Sequence, residues 1–144
     1  LDRAESLLEI DFETHMAKIH QNPDSILKEL KEKWAGSLDI HFEFGELGGI
    51  SEYQLLAMNE FLSESLTNAF RHGRANRARV DFRLNSQNQL LISITDDGVG
   101  YIPSHPGLGS AIFDELSNGS WEIRSRTDSH GTIVSIVIQP EELK

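Results

Sequence analysis

The feature that most restricts the fold is the order in which the hydrophobic period changes along the chain. From Asn22-Pro23-Asp24, which supplies an N-cap, a first-turn proline and an early acid, the apolar residues Ile26, Leu27, Leu30 and Trp34 recur at helical spacing and predict a helix ending near Gly36. Leu38-Asp39-Ile40-His41-Phe42-Glu43-Phe44 then alternates strictly, as a half-buried strand does. After Gly48-Gly49, Ser51 is placed to cap a long helix running to His72, with Gly73 where a left-handed residue commonly ends a helix. Alternation resumes: Ala78, Val80, Phe82 and Leu84 share one strand face, Leu90, Ile92 and Ile94 another, and the polar turn 85–88 joins them as a hairpin. Ala111 to Leu116 reads as a short helix, and Trp121-Glu122-Ile123 pairs with Thr132 to Ile138 as a closing hairpin. Helices early and antiparallel hairpins late predict an α+β sandwich, a mainly antiparallel sheet with helices on one face.

With 144 residues the chain is one domain's worth, and 38% apolar residues suffice for a core. A net charge of −10 gives nucleic acid and anionic lipid no general electrostatic attraction, so no nucleic-acid partner is expected and an anionic ligand must be held locally. The absence of cysteine excludes disulfides, thiolate chemistry and four-cysteine zinc sites. Apolar runs are strand-sized, and no basic start precedes a signal-like segment. The opening Leu1-Asp2-Arg3, without methionine, suggests a fragment of a longer protein. Leu7, Leu8, Ile10, Phe12 and Met16 predict a helix within residues 1–22, read as the end of an upstream dimerisation domain, with the globular unit over 23–144.

On a helical wheel Leu55, Met58, Leu62, Leu66 and Ala69 form one apolar stripe, which is expected to meet the sheet. Glu64, Asn68 and Arg71 gather on the other side, with His72 beside them. Taken alone, that face also suits a solvated helix surface. Asn59 falls toward the apolar side, where an amide would need partners. Arg71, Arg74, Arg77, Arg79 and Arg83 concentrate basic charge in one stretch, but the last three alternate outward on a strand, so only Arg71 and His72 are candidate phosphate contacts. Asp96-Asp97-Gly98-Val99-Gly100 leaves a strand and Gly107-Leu108-Gly109-Ser110 opens a helix, places where glycine admits a ligand to the backbone and free N–H groups suit phosphate.

Glu64-x-x-x-Asn68-Ala69-x-Arg71-His72, Asp96-x-Gly98-x-Gly100, Gly107-Leu108-Gly109 and Gly131-Thr132, in this order and spacing, resemble the ATP-binding domain shared by sensor histidine kinases, DNA gyrase, heat-shock protein 90 and MutL, the GHKL superfamily. Phe61 to His72 is especially similar to histidine kinases of the nitrate-sensor type. The resemblance covers about residues 24 to 139 and implies the Bergerat ATP-binding fold, a two-layer α/β sandwich with a mixed sheet. It further implies ATP and Mg²⁺ as ligands: Asn68 on the metal, Glu64 as the acidic residue that polarises the nucleophile or orients a water, and Arg71 or His72 on the phosphates. Asp96 would accept from the adenine amino group, Gly98 and Gly100 would make room for the base, Gly107, Leu108 and Gly109 would admit the phosphates, and Thr132 would support the adenine pocket through water.

The chain departs from that type in two places. Only Tyr101 to Pro106 separate the glycine boxes, and Ser110 to Glu115 stands where a Met and an Arg are usual. His15 and His20 lack the neighbours of a phospho-accepting motif and read as surface histidines. The expected function is therefore the catalytic domain of a two-component sensor histidine kinase, not self-sufficient in this fragment. Its partners would be a histidine-bearing dimerisation domain of the same protein, within a homodimer, and a downstream response regulator. It would lie in the cytoplasm, with the parent's membrane attachment left open. The alternatives are an anti-sigma-factor-type serine kinase and a non-catalytic nucleotide-binding module.

Overall fold

The computed structural model describes residues 23–45, 47–100 and 110–141. The helix expected within 1–22, with His15, His20 and the Asn22 cap, lies outside the described residues, as does the second glycine box, Gly107, Leu108 and Gly109.

Helix α1, Pro23–Trp34, buries Ile26, Leu27 and Leu30. It stops where Gly36 turns to φ 85°, which lets the N–H groups of Ser37 and Leu38 both return to the Trp34 carbonyl at 2.9 Å. Strand β1, Asp39–Phe44, begins buried at Ile40 and emerges along its length to Phe44, which is 49% exposed and stacks on Phe82 at 5.1 Å. Helix α2, Glu52–Arg71, crosses from β1 to its parallel neighbour β2, Arg77–Leu84. Strand β3, Leu90–Asp96, returns antiparallel; helix α3, Ser110–Ser117, and the hairpin of β4, Trp121–Ser125, and β5, Thr132–Ile138, complete the described chain. The sheet order is β1-β2-β3-β5-β4, with only β1 and β2 parallel. One sheet face is buried under the three helices, α1 over β1, α2 over β3 and β5, and α3 over β4 and β5. Arg77, Arg79 and Arg83 project from the other, and Arg79 pairs with Asp81 there at 3.1 Å. This is the expected α+β sandwich. Among the described residues no helix is long and apolar enough to cross a membrane.

Polar groups locate α2 at its start. Ser51 Oγ accepts from the Gln54 N–H and Gln54 Oε1 from the Ser51 N–H, both at 3.1 Å, a reciprocal capping box. Ser51 Oγ also donates to the Pro140 carbonyl at 2.6 Å, and the fully buried Gln54 amide donates to Asn88 O at 2.7 Å and Ile138 O at 3.0 Å. The helix is thereby tied to the β2–β3 turn and to the end of β5. Gln54→Leu would keep the volume and orphan two carbonyls and an N–H. A loss of about 2–4 kcal/mol is expected in urea unfolding, with the fold otherwise retained.

Two details of α2 differ from the sequence expectation. Gly73 does not carry the left-handed turn: Arg74 does, at φ 54°, after the His72 and Gly73 N–H groups have both bonded to Asn68 O. A Cβ on Gly73 would lie 2.9 Å from the Ala69 carbonyl oxygen, so the glycine serves close approach instead. Asn59 is only half-buried.

Candidate functional site

The buried face of α2 is wider than the apolar stripe. Leu55, Met58, Leu62, Leu66 and Ala69 are buried as expected, but so are Ala57, Phe61 and Ser65. The reason is α3: Phe61 packs on Phe113 at 5.1 Å, and Tyr53 Oη donates to Leu116 O at 2.9 Å. At 100° per residue Asn68 falls about 20° from Phe61, on the margin of the buried face beside α3 and not opposite the sheet. Glu64 and Asn68 are accordingly half-buried, while Arg71 and His72 are exposed. The alternative of a fully solvated face thus fits only Arg71 and His72 in the last turn.

Asp96 closes β3 with its carboxylate on the helix-covered face, 6% exposed. Its Oδ1 accepts the Gly98 N–H at 2.8 Å and the Thr132 N–H at 3.3 Å. Both donors reach the same oxygen, so Oδ2 is the one able to accept from an outside group. Burial pushes the Asp96 pKa above the ordinary aspartate value, opposed by the Gly98 and Thr132 amides and by Arg126, while the neighbouring Asp97 adds to the rise. Thr132 itself is buried at the start of β5, beside the end of β3.

Two glycines permit this arrangement. Gly131, at φ 133°, lies so close to Asp96 that an added Cβ would meet the Asp96 carbonyl oxygen at 1.8 Å. At Gly98 a Cβ would meet Gly73 O at 2.3 Å, so Gly98 is required by the crossing of two backbones, whatever else it makes room for. At that crossing the Val99 N–H donates to Gly73 O at 2.8 Å. The end of α2, carrying Asn68 and Arg71, is therefore bonded directly to the loop after Asp96.

Sequence reasoning missed two residues here. Asp97 Oδ1 accepts the Asn76 and Arg77 N–H groups at 2.8 and 2.9 Å; burial works against its charge, but these amides and the Arg77 charge outweigh it and hold its pKa below the usual value. Arg126 places Nη1 3.3 Å from Asp96 O and pairs with Asp128. A second acid beside Asp96 was visible in the sequence; nothing there pointed to Arg126, whose contact depends on the closing hairpin.

Among the described residues no three His, Cys, Asp or Glu side chains converge as a metal cage. Glu64 and Asn68, one turn apart, instead offer an anionic and a neutral oxygen. This donor set suits a hard cation that keeps most of its other ligands from water or phosphate.

No protein-family model matches the sequence, and no curated protein matches it. Solved structures do. The Erythrobacter litoralis EL346 blue-light activated histidine kinase aligns with a TM-score of 0.60 at 25% identity, over 78% of this chain and 42% of that one. The ATP-binding domain of PrrB from Mycobacterium tuberculosis aligns with a TM-score of 0.59 at 15% identity, over 78% and 88%. The histidine kinase ThkA, solved in complex with the response regulator TrrA, aligns with a TM-score of 0.61 at 13% identity, over 97% and 49%. The fold is that of histidine kinase catalytic domains. The chain spans under two thirds of the first kinases it matches, 59% of the Erythrobacter kinase domain and 42% of the larger structure.

Because the folded-state pKa of Asp96 is raised, its ionised form costs stability above that pKa. The cost vanishes as the pH falls through the ordinary aspartate range, where both states are protonated. Asp96→Asn keeps the acceptor oxygen without the charge. It should melt at a higher temperature than the parent at neutral pH, and melting curves at successively lower pH should show that advantage shrinking.

Proposed function

We propose that this chain is the ATP-binding catalytic module of a two-component sensor histidine kinase. The observation that carries the proposal is the Asp96 carboxylate: buried, anchored through Oδ1 by two backbone amides, with Oδ2 left to accept, at the end of the sheet where α2 brings Asn68. An adenine 6-amino group donates to such an oxygen. Guanine has a carbonyl at that position, and two acceptors would face each other. Thr132 supports the base from the adjacent strand through water. Gly100 gives the loop its turn, and Gly107, Leu108 and Gly109 admit the phosphates.

Asn68 would supply an oxygen to Mg²⁺, which would draw charge from the phosphate oxygens when bound. Arg71, exposed at the end of α2 beside His72, can meet an anion without the cost of burying its charge, and His72 can add a hydrogen bond to the phosphates. In the transfer, an imidazole nitrogen of the acceptor histidine uses its lone pair to form a P–N bond to the γ-phosphorus. The β–γ bridging oxygen leaves with the P–O bonding pair as ADP. Glu64 takes a hydrogen bond from the other imidazole N–H and stabilises the positive charge that develops there. The protein's contribution is mainly position and charge neutralisation.

The acceptor histidine belongs to a dimerisation domain of the same protein, outside residues 1–144, in a homodimer that serves a response regulator. A matched kinase, ThkA, has been solved in complex with the response regulator TrrA, which supports that partner class. The similarity of Phe61 to His72 and the short spacing between the glycine boxes favour the nitrate-sensor type. ATP as substrate puts the module in the cytoplasm.

Calorimetry with ADP and GDP tests the base-binding step: Asp96→Asn should weaken ADP by roughly 10-fold or more and narrow its preference over GDP. Equal affinities in parent and variant would place the base elsewhere.

Asn68→Ala should lose the dependence of ATP binding on Mg²⁺. With γ-labelled ATP and a histidine-bearing dimerisation domain added in trans, acid-labile label should appear on that domain, and Glu64→Ala should reduce transfer more than it reduces ATP binding. Acid-stable label on a serine substrate would point to an anti-sigma-factor-type kinase. ATP binding with no transfer to either would point to a non-catalytic module.

A further inference from the structure

Asp97 is adjacent to the proposed base-binding carboxylate, yet its bonds run in another direction. Its Oδ1 takes the N–H groups of Asn76 and Arg77 at 2.8 and 2.9 Å, and its own N–H donates to Arg77 O at 3.2 Å. Two residues further on, the Val99 N–H bonds Gly73 O at 2.8 Å, with Gly98 pressed against the same carbonyl. Residues 73–77 are thus held at both ends by residues 97–99, through Gly73 at one and Asn76 and Arg77 at the other. The turn is also fixed on its other sides: the Ala75 N–H returns to Ala69 O in α2, and the Asp39 N–H bonds Asn76 O, both at 2.9 Å.

This turn is the connection between α2, which carries Glu64 and Asn68, and the strand that pairs with β3, which carries Asp96. Resting on the nucleotide reading above, we infer that Asp97 is a positioning residue, setting the spacing between the base-binding carboxylate and the metal- and phosphate-binding end of α2. One nucleotide of limited reach gains fully from both ends only if that spacing is held. Two sites on one ligand add their affinities when the geometry allows simultaneous engagement and lose the gain when it does not.

Adenosine reports on the base end alone and Mg·ATP on both, so the ratio of their dissociation constants reads the coupling. Calorimetry on the 144-residue chain should show that ratio shrinking by about tenfold or more in Asp97→Ala, with adenosine affinity changed by less than about threefold. Asp97→Asn, which keeps the acceptor oxygen, should hold both quantities within about threefold of the parent. If Asp97→Ala does not fold, Asp97→Ser, with a shorter acceptor, takes its place and should show a partial loss of the ratio. An unchanged ratio in the folded variant, or equal weakening of adenosine and Mg·ATP, would overturn the role of Asp97 while leaving nucleotide binding intact. A parent chain that binds neither ligand would overturn the nucleotide reading itself, and the positioning role with it.

Discussion

The structure depends on a contact between two stretches of backbone with no side chain between them. Gly98 lies against the Gly73 carbonyl and the Val99 N–H bonds the same oxygen, so the end of the long helix and the end of a central strand meet at a separation only glycine allows. Everything proposed for function is placed relative to this junction. Asp96 stands two residues before it on one chain segment, and Asn68 and Arg71 stand within a turn and a half of it on the other. A Cβ at Gly98 would force the two apart, and the carboxylate and amide would no longer belong to one site.

The same helix is fixed at its far end by a different kind of interaction. There Gln54 and Ser51 satisfy buried carbonyls from the β2–β3 turn and the chain leaving β5. Between these anchors α2 makes the apolar contact with the sheet that supplies most of the core, but apolar contact is not directional and would tolerate sliding or rotation. The polar anchors remove those freedoms. The helix cannot shift along its axis without orphaning the Gln54 amide at one end or the Gly73 and Asp97 bonds at the other, and each orphaned group costs on the order of 1–3 kcal/mol.

Electrostatics in the site follow from which carboxylate is buried. Asp96 and Asp97 are neighbours in sequence with opposite shifts: Asp96 is withdrawn from water under the helix layer, and Asp97, near the surface, collects amide donors. Alternation along a strand puts successive side chains on opposite faces, so a pair of identical residues is divided into one group suited to an incoming donor and one suited to holding the backbone. Aspartate side chains at both positions were visible in the sequence. Their division was not, because it depends on what covers each face.

Periodicity alone was sufficient for the helices and strands within the described residues, for both hairpins and for the sandwich class, because burial on one face imposes a period on each element separately. The ordered motifs mark Glu64, Asn68, Asp96 and Thr132 as candidates by residue type and spacing. Several features were beyond the sequence because they arise between elements remote in the chain. Phe61 is buried because Phe113 of α3 packs on it, and Asn68, about 20° from Phe61 around the helix, is half-buried. Gly73 is a glycine for its close approach to Ala69, and Gly98 for its approach to Gly73, while the left-handed turn falls to Arg74. Arg126 reaches Asp96 only across the closing hairpin. A sequence carries each element's own preference for burial and turn; which groups come to face one another is decided by chain crossings, where a single missing Cβ or shared carbonyl determines the fit.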